Sequence, residues 1–346
     1  MINNFDQLGG YQRLLTILSG NIPDRLPLLH VWGHREGYHA AHLGAWAEAQ
    51  GLPAEADITF LKYQQAHGHA LGIGVEGWFS KLPKGEGEAA GGVHRYLQHG
   101  IEIGCDLRPF EELGDMDALA EETIRMKTLN QAHGLGTRGF VTNSFHALSG
   151  ALGLEDFCYA LYDDRDWLEA AMDQAERYNR RGLEVMIRNG VDMVTIDGDL
   201  AYKTGTMISP QLLREIWFDR TRASVELLKD AGVAVMYHTD GKVDAVLPML
   251  IEMGVDCFHG CEKAANDLAD LKARFGGDIT LIGNFDHAEM TFGTPDEIVA
   301  KTREMLTIGM PGGRYIADIN TSVPNEAPLE NYAAFVETIR SEGNYP

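Results

Sequence analysis

The stretch V233-AVMYHTDGKVDAVLPMLIEMGVDCFHGC-E262 reads as strand, helix, strand. The apolar run Val233–Tyr237 stops at His238-Thr239-Asp240-Gly241. A segment with helical character, Val243–Met253, follows and Gly254 ends it. A second apolar run, Val255–Phe258, stops at His259-Gly260-Cys261-Glu262. Two successive strands therefore finish in groups able to hold a metal or move a proton. In a parallel α/β sheet both C-terminal strand ends lie on one face, where such folds carry their chemistry.

The same rhythm extends in both directions. Helix, glycine, short β-rich run and polar terminus recur at Thr137–Asn143, Val191–Asp199, Ile279–Asp286 and Arg314–Asn320, with helices starting near Asp156, Pro210, Asn266 and Pro295. Strands alternating with helices of this length predict βαβ units and a parallel sheet. With Leu26–Trp32 as a first strand and one strand left unplaced, the count suits a (β/α)8 TIM-type barrel; a doubly wound open sheet is the alternative. Phe5–Ser19, much of Glu36–Glu88 and Pro109–His133 read as extra helices, and Val93–Leu107 as a hairpin outside the repeat. No linker divides residues 1–346, so a single barrel domain is expected.

Composition narrows the function. Net charge is −22, from 29 Lys and Arg against 51 Asp and Glu. That disfavours nucleic acid and anionic membranes as partners. No apolar run approaches the roughly 20 residues of a membrane span. The N-terminus shows no leader pattern, and Cys105, Cys158, Cys257 and Cys261 do not form a disulfide framework. The expected location is the cytoplasm. Neither G-x-G-x-x-G after a first strand nor a P-loop is present, so a dinucleotide or nucleoside triphosphate site is not expected.

The polar residues at strand ends are the candidate site: Trp32 and His34, Asn143, Asp199, His238 and Asp240, Cys261 and Glu262, Asn284 and Asp286, and Asn320. Each alone could cap the following helix. Together they would line one mouth. His238-x-Asp240 puts two donors on one side of an extended strand end, and Glu262 ends the neighbouring strand. One imidazole and carboxylates are a plausible zinc shell. The same groups could act without metal, a carboxylate orienting His238 as a proton shuttle, or could simply close a turn. Of Cys261 and Glu262 only one can point inward from a regular strand; Glu262 is favoured, with Cys261 as a spare ligand.

These motifs resemble the uroporphyrinogen decarboxylase superfamily, and within it the corrinoid-dependent methyltransferase branch. The resemblance runs from Gly20-Asn21-Ile22-Pro23-Asp24-Arg25-Leu26-Pro27, through Asp197-Gly198-Asp199-Leu200-Ala201, Ile208-Ser209-Pro210, His238-Thr239-Asp240-Gly241 and Gly283-Asn284-Phe285-Asp286, to Pro328-Leu329-Glu330-Asn331. The decarboxylases' carboxylate-gripping Arg-Gln-Ala-Gly-Arg-Tyr is replaced by Gly33-His34-Arg35-Glu36-Gly37-Tyr38, and their late histidine by the Asn320-Thr321-Ser322 region. The zinc methyltransferases' His-x-Cys becomes His238-x-Asp240, and no late Cys follows.

The resemblance implies a methyltransferase that takes a methyl group from a small donor, a methyl ether in an O-demethylation, to the cobalt of a separate corrinoid protein. Zinc would be held by His238, Glu262 and Asp240 or Cys261. Asp199, Tyr202, His238 and Asp286 would be the catalytic groups, and Trp32, His34, Asn143, Asn284 and Asn320 the substrate-binding ones. The implied partners are a corrinoid protein and a small methyl donor, with a homodimer as one possible assembly. No Asp-x-His-x-x-Gly cobalt-ligand motif occurs, so the carrier is expected to be another chain. The alternatives are a cofactor-independent decarboxylase using Asp199 with Tyr202 or His238, and a barrel that only binds a corrinoid or tetrapyrrole.

Overall fold

A computed structural model of the chain describes residues 8–29, 38–53, 57–67, 69–76, 87–90, 93–96, 100–108, 115–320, 323 and 326–346. The β-rich runs form short strands: β1 (Val75–Glu76), β2 (Gly87–Ala90), β3 (Val93–Tyr96), β4 (Arg138–Thr142), β5 (Met193–Asp197), β6 (Ala201–Tyr202), β7 (Gly205–Thr206), β8 (Ala234–His238), β9 (Cys257–His259), β10 (Thr280–Ile282) and β11 (Tyr315–Ile316). Seven of them join in one sheet ordered β1-β4-β5-β8-β9-β10-β11, every pair parallel. Residues 26–29 add the remaining stave, Leu28 bridging His69 in parallel, while Leu71 bridges Gly136 ahead of β1. The architecture is the expected (β/α)8 barrel. Parallel strands buried on both faces read as continuous apolar runs, which is why Val194, Ile196, Val235, Met236 and Phe258 announced themselves.

The stave left unplaced by the sequence is 69–76. Its alternating Leu71, Ile73 and Val75 are separated by Gly72 and Gly74, which weakens any strand signal. The structure explains Gly72. A Cβ there would overlap the side-chain amide of Asn130, on the helix Met116–Gln131. That amide accepts from the Ile73 N–H at 3.0 Å and donates to the Ile73 carbonyl at 2.9 Å and to Thr137 Oγ1 at 3.0 Å. A buried asparagine thus satisfies main-chain groups the parallel ladder leaves open, and glycine makes the approach possible.

The 24-residue helix Arg165–Arg188 lays Leu168, Met172, Leu183 and Met186 against the core. Its buried Glu176 accepts from the Ser144 N–H at 3.1 Å and from Ser224 Oγ at 3.3 Å, joining three helices. Trp217 packs edge-on against Tyr237, ring centroids 5.6 Å apart, and the Tyr237 hydroxyl is held by Asn143 Nδ2 at 2.8 Å. The expected hairpin is β2–β3, antiparallel and outside the barrel; its residues start earlier than the expected Val93, and 100–108 carry no strand. The helix expected from Val243 begins at Leu247. Among the described residues no helix is long and apolar enough to cross a membrane.

Candidate functional site

Strand register decides which side chains meet. Asp197 of β5 pairs with His238 of β8, and His238 with His259 of β9, so three strands finish level. The loops beyond are laced together. The Asp240 N–H donates to Asp199 Oδ1 at 2.9 Å, and the Leu200 N–H to Thr239 Oγ1 at 2.8 Å. The Gly241 N–H donates to Glu262 Oε2 at 3.2 Å, and Asn266 Nδ2 to the Gly241 carbonyl at 2.8 Å. Gly260 adopts φ +109°, and a Cβ there would overlap the Thr239 carbonyl oxygen, so only glycine permits this approach of the two loops. One ligand atom each from Asp199, His238 and Asp240 lies within 4.8 Å of the others.

The electrostatics of this trio suit a cation. His238 is buried, and burial followed by the nearby His146 lowers its pKa to about 3. It is therefore neutral over the ordinary pH range, the form that ligates metals. Asp240 is raised to about 8, by burial first and then by the charges of Asp199, Glu262 and Asp197, with Lys203 opposing. The Asp240 side chain is 41% exposed as a whole, yet its Oδ1 is buried without a hydrogen-bond partner and sits 3.9 Å from His238 Nε2. An orphaned carboxylate oxygen amid like charges is costly, and a divalent cation would relieve both defects. By donor chemistry the residues fit zinc.

The expected site residues divide. Asp199, His238 and Asp240 come together. Glu262 stands beside them but outside the trio; it braces Gly241 and lies 3.4 Å from Lys203 Nζ. Tyr202 ends strand β6 at the turn of the small β6–β7 hairpin, 53% exposed, with its phenol raised by burial, Cys158 and Asp199. Cys261 lies outside the trio. Its thiol is fully buried and pushed up to about 12 by that burial, and its Cβ abuts Gly283 within the core. Asn143 and Asp286 are N-caps, accepting from His146 N–H and from Ala288 and Glu289 N–H respectively. Asn284 lines a separate cavity of about 540 Å³ with Lys242, Asn266 and Glu289. Asn320 is buried, its Oδ1 without a hydrogen-bond partner. Trp32 and His34 lie outside the described residues.

Two residues escaped the sequence reading. His146 Nδ1 lies 3.1 Å from the Asp199 N–H and accepts from it, one turn into the helix that Asn143 caps. His259 touches His238, Nδ1 to Nδ1 at 2.7 Å. Its signal was present: it occupies on β9 the level that His238 occupies on β8.

Comparison with known proteins agrees with the barrel. The family pattern "Uroporphyrinogen decarboxylase (URO-D)" matches residues 105–342. Methylcobamide:CoM methyltransferase MtbA of Methanosarcina mazei is 21% identical over 185 residues, 52% of this chain and 51% of that protein. A uroporphyrinogen decarboxylase of Christiangramia forsetii is 26% identical over 170 residues, 46% of this chain and 43% of that protein. The chain thus spans about half the length of the curated relatives it matches. A solved methyltransferase from Methanosarcina mazei shares the fold with a TM-score of 0.69 at 19% identity, over 97% of this chain and 99% of that one. Matched over most of its length by the family pattern, the chain belongs to the uroporphyrinogen decarboxylase family.

Proposed function

We propose that this protein is a methyltransferase that moves a methyl group from a small methyl ether to the cobalt of a corrinoid carried by a separate protein. The observation that supports it is the trio Asp199, His238 and Asp240, with a neutral imidazole and an orphaned carboxylate oxygen converging at the barrel mouth. A relative bearing the name methylcobamide:CoM methyltransferase supports the reaction class.

In the reaction, cobalt(I) attacks the methyl carbon, the C–O bond breaks, and the oxygen departs with the electron pair. An alkoxide leaves poorly unless its charge is met. Zinc held by His238, Asp199 and Asp240 would supply Lewis acidity at that oxygen when bound. A shell of nitrogen and oxygen donors is harder than a thiolate shell and favours an oxygen ligand over a thiolate. Asp199 fixes the main chain of Asp240, and Glu262 fixes Gly241, so the turn carrying the ligands is held from both sides. Tyr202, exposed beside Asp199, is the proton source for the departing oxygen.

The alternative decarboxylase reading uses Asp199 with Tyr202 or His238, and the raised pKa of Asp240 adds a further group able to donate a proton without metal. His238, which that reading also offers as donor, is a neutral imidazole at neutral pH and a poor acid there. The deciding assay is anaerobic. Zinc-loaded protein is mixed with cob(I)alamin and a panel of methyl ethers, and formation of methylcobalamin is followed by absorbance. Donor-dependent methylation that His238→Ala abolishes is expected. No methylation with any donor, alongside release of carbon dioxide from a porphyrinogen, would overturn the proposal.

A further inference from the structure

His259 is fully buried, and β8–β9 register sets its ring against that of His238, centroids 4.9 Å apart and planes 34° inclined. Its Nε2 lies 3.0 Å from the Ile319 main-chain oxygen and 3.7 Å from Asp318 Oδ2. A carbonyl oxygen only accepts, so His259 carries its proton on Nε2 and its Nδ1 presents a lone pair. Two ring nitrogens 2.7 Å apart need one proton between them, and only His238 Nδ1 is left to supply it. The lone pair of His238 then sits on Nε2, the nitrogen turned toward Asp240 Oδ1.

We infer that the side chain of His259 is a positioning residue: it fixes His238 as the Nδ1–H tautomer and aims the Nε2 lone pair at the carboxylate trio. The relay runs from the Ile319 carbonyl through His259 to His238, with Asp318 alongside. It is the outer half of a carboxylate–histidine–metal arrangement, in which the ring's second nitrogen is held so the first can ligate. The inference rests on the reading of His238 as a metal ligand, but its first test needs no metal. The main-chain carbonyl of His259 also takes a hydrogen bond from the His238 ring, and it survives every substitution at position 259. The test must therefore separate side chain from main chain.

Metal-free protein labelled with 15N-histidine is read by long-range 1H–15N correlation spectra, with His238 and His259 assigned by substitution. In the wild type, His238 is expected as Nδ1–H and His259 as Nε2–H. His259→Leu removes the acceptor and mixes the His238 tautomers; zinc affinity, measured by chelator competition, falls about 10- to 100-fold. His259→Asn, which keeps an acceptor near the Nδ1 position, recovers most of both. Thermal unfolding midpoints check that both variants fold. Nε2–H at His238 in the wild type would overturn the inference. So would a His259→Leu variant with wild-type tautomer and zinc affinity, because the main-chain carbonyl alone would then orient the ring. Absence of zinc binding in the wild type would refute the metal reading, and the tautomers of the two proteins would still decide this one.

Discussion

Zinc affinity should depend on pH through one residue, Asp240. Its carboxyl is raised to about 8, so below that pH it is mostly protonated and a metal must displace one proton to use it. His238, lowered to about 3, is neutral throughout and releases none. The expected slope is therefore one proton per metal: well below pH 8 affinity rises about tenfold per pH unit, roughly 1.4 kcal/mol, for a gain of about 50-fold between pH 6 and 8, then levels. Asp240→Asn removes both ligand and proton. Its affinity should be lower at pH 8 and change by less than about threefold across the same range. Competition with a chromophoric zinc chelator at pH 6, 7, 8 and 9, corrected for the chelator's own protonation, measures both curves. A flat wild-type curve, or equal slopes in the two proteins, would refute the assignment of the raised carboxyl to a ligand.

Other consequences follow from the same groups. Native His238 binds fewer protons than its unfolded form between pH 6.5 and about 3, so it contributes stability above pH 6.5 that is lost as pH falls; urea midpoints of wild type and His238→Gln should converge on acidification. Asp240 acts in the opposite sense: the native state binds more protons between pH 3.8 and about 8, so metal-free protein loses stability as pH rises, and Asp240→Asn should abolish that part of the slope. Glu176→Ala strips the Ser144 N–H and Ser224 Oγ of their buried acceptor, and should cost about 1–3 kcal/mol in chemical unfolding. Gly260→Ala forces a Cβ into the Thr239 carbonyl from a left-handed backbone and should destabilise by about 1–3 kcal/mol with loss of zinc affinity; Gly277→Ala, with open space around it, should change neither.

The barrel was legible because buried parallel strands are apolar along their length and end at polar residues. The stave 69–76 was not, because glycines stand where Asn130 must approach. At the site, the period of two within an extended strand end gave His238 and Asp240, and the rhythm gave Asp199. His259 heads the polar group that ends the run Val255–Phe258, but attention went to Cys261 and Glu262 behind it; only pairing register puts it against His238. Cys261 and Glu262 are neighbours, and sequence alternation could only say that they diverge. Asn143 and Asp286 illustrate the other use of a polar strand end: both cap the helix that follows.

The central claim is most directly tested by metal content. Wild type, His238→Ala and Asp240→Asn would be purified without added metal, then assayed by plasma mass spectrometry before and after zinc addition and desalting. The account predicts about one zinc per wild-type chain, with little retained by either variant. No zinc in the wild type even after addition, or equal retention in all three proteins, would contradict it.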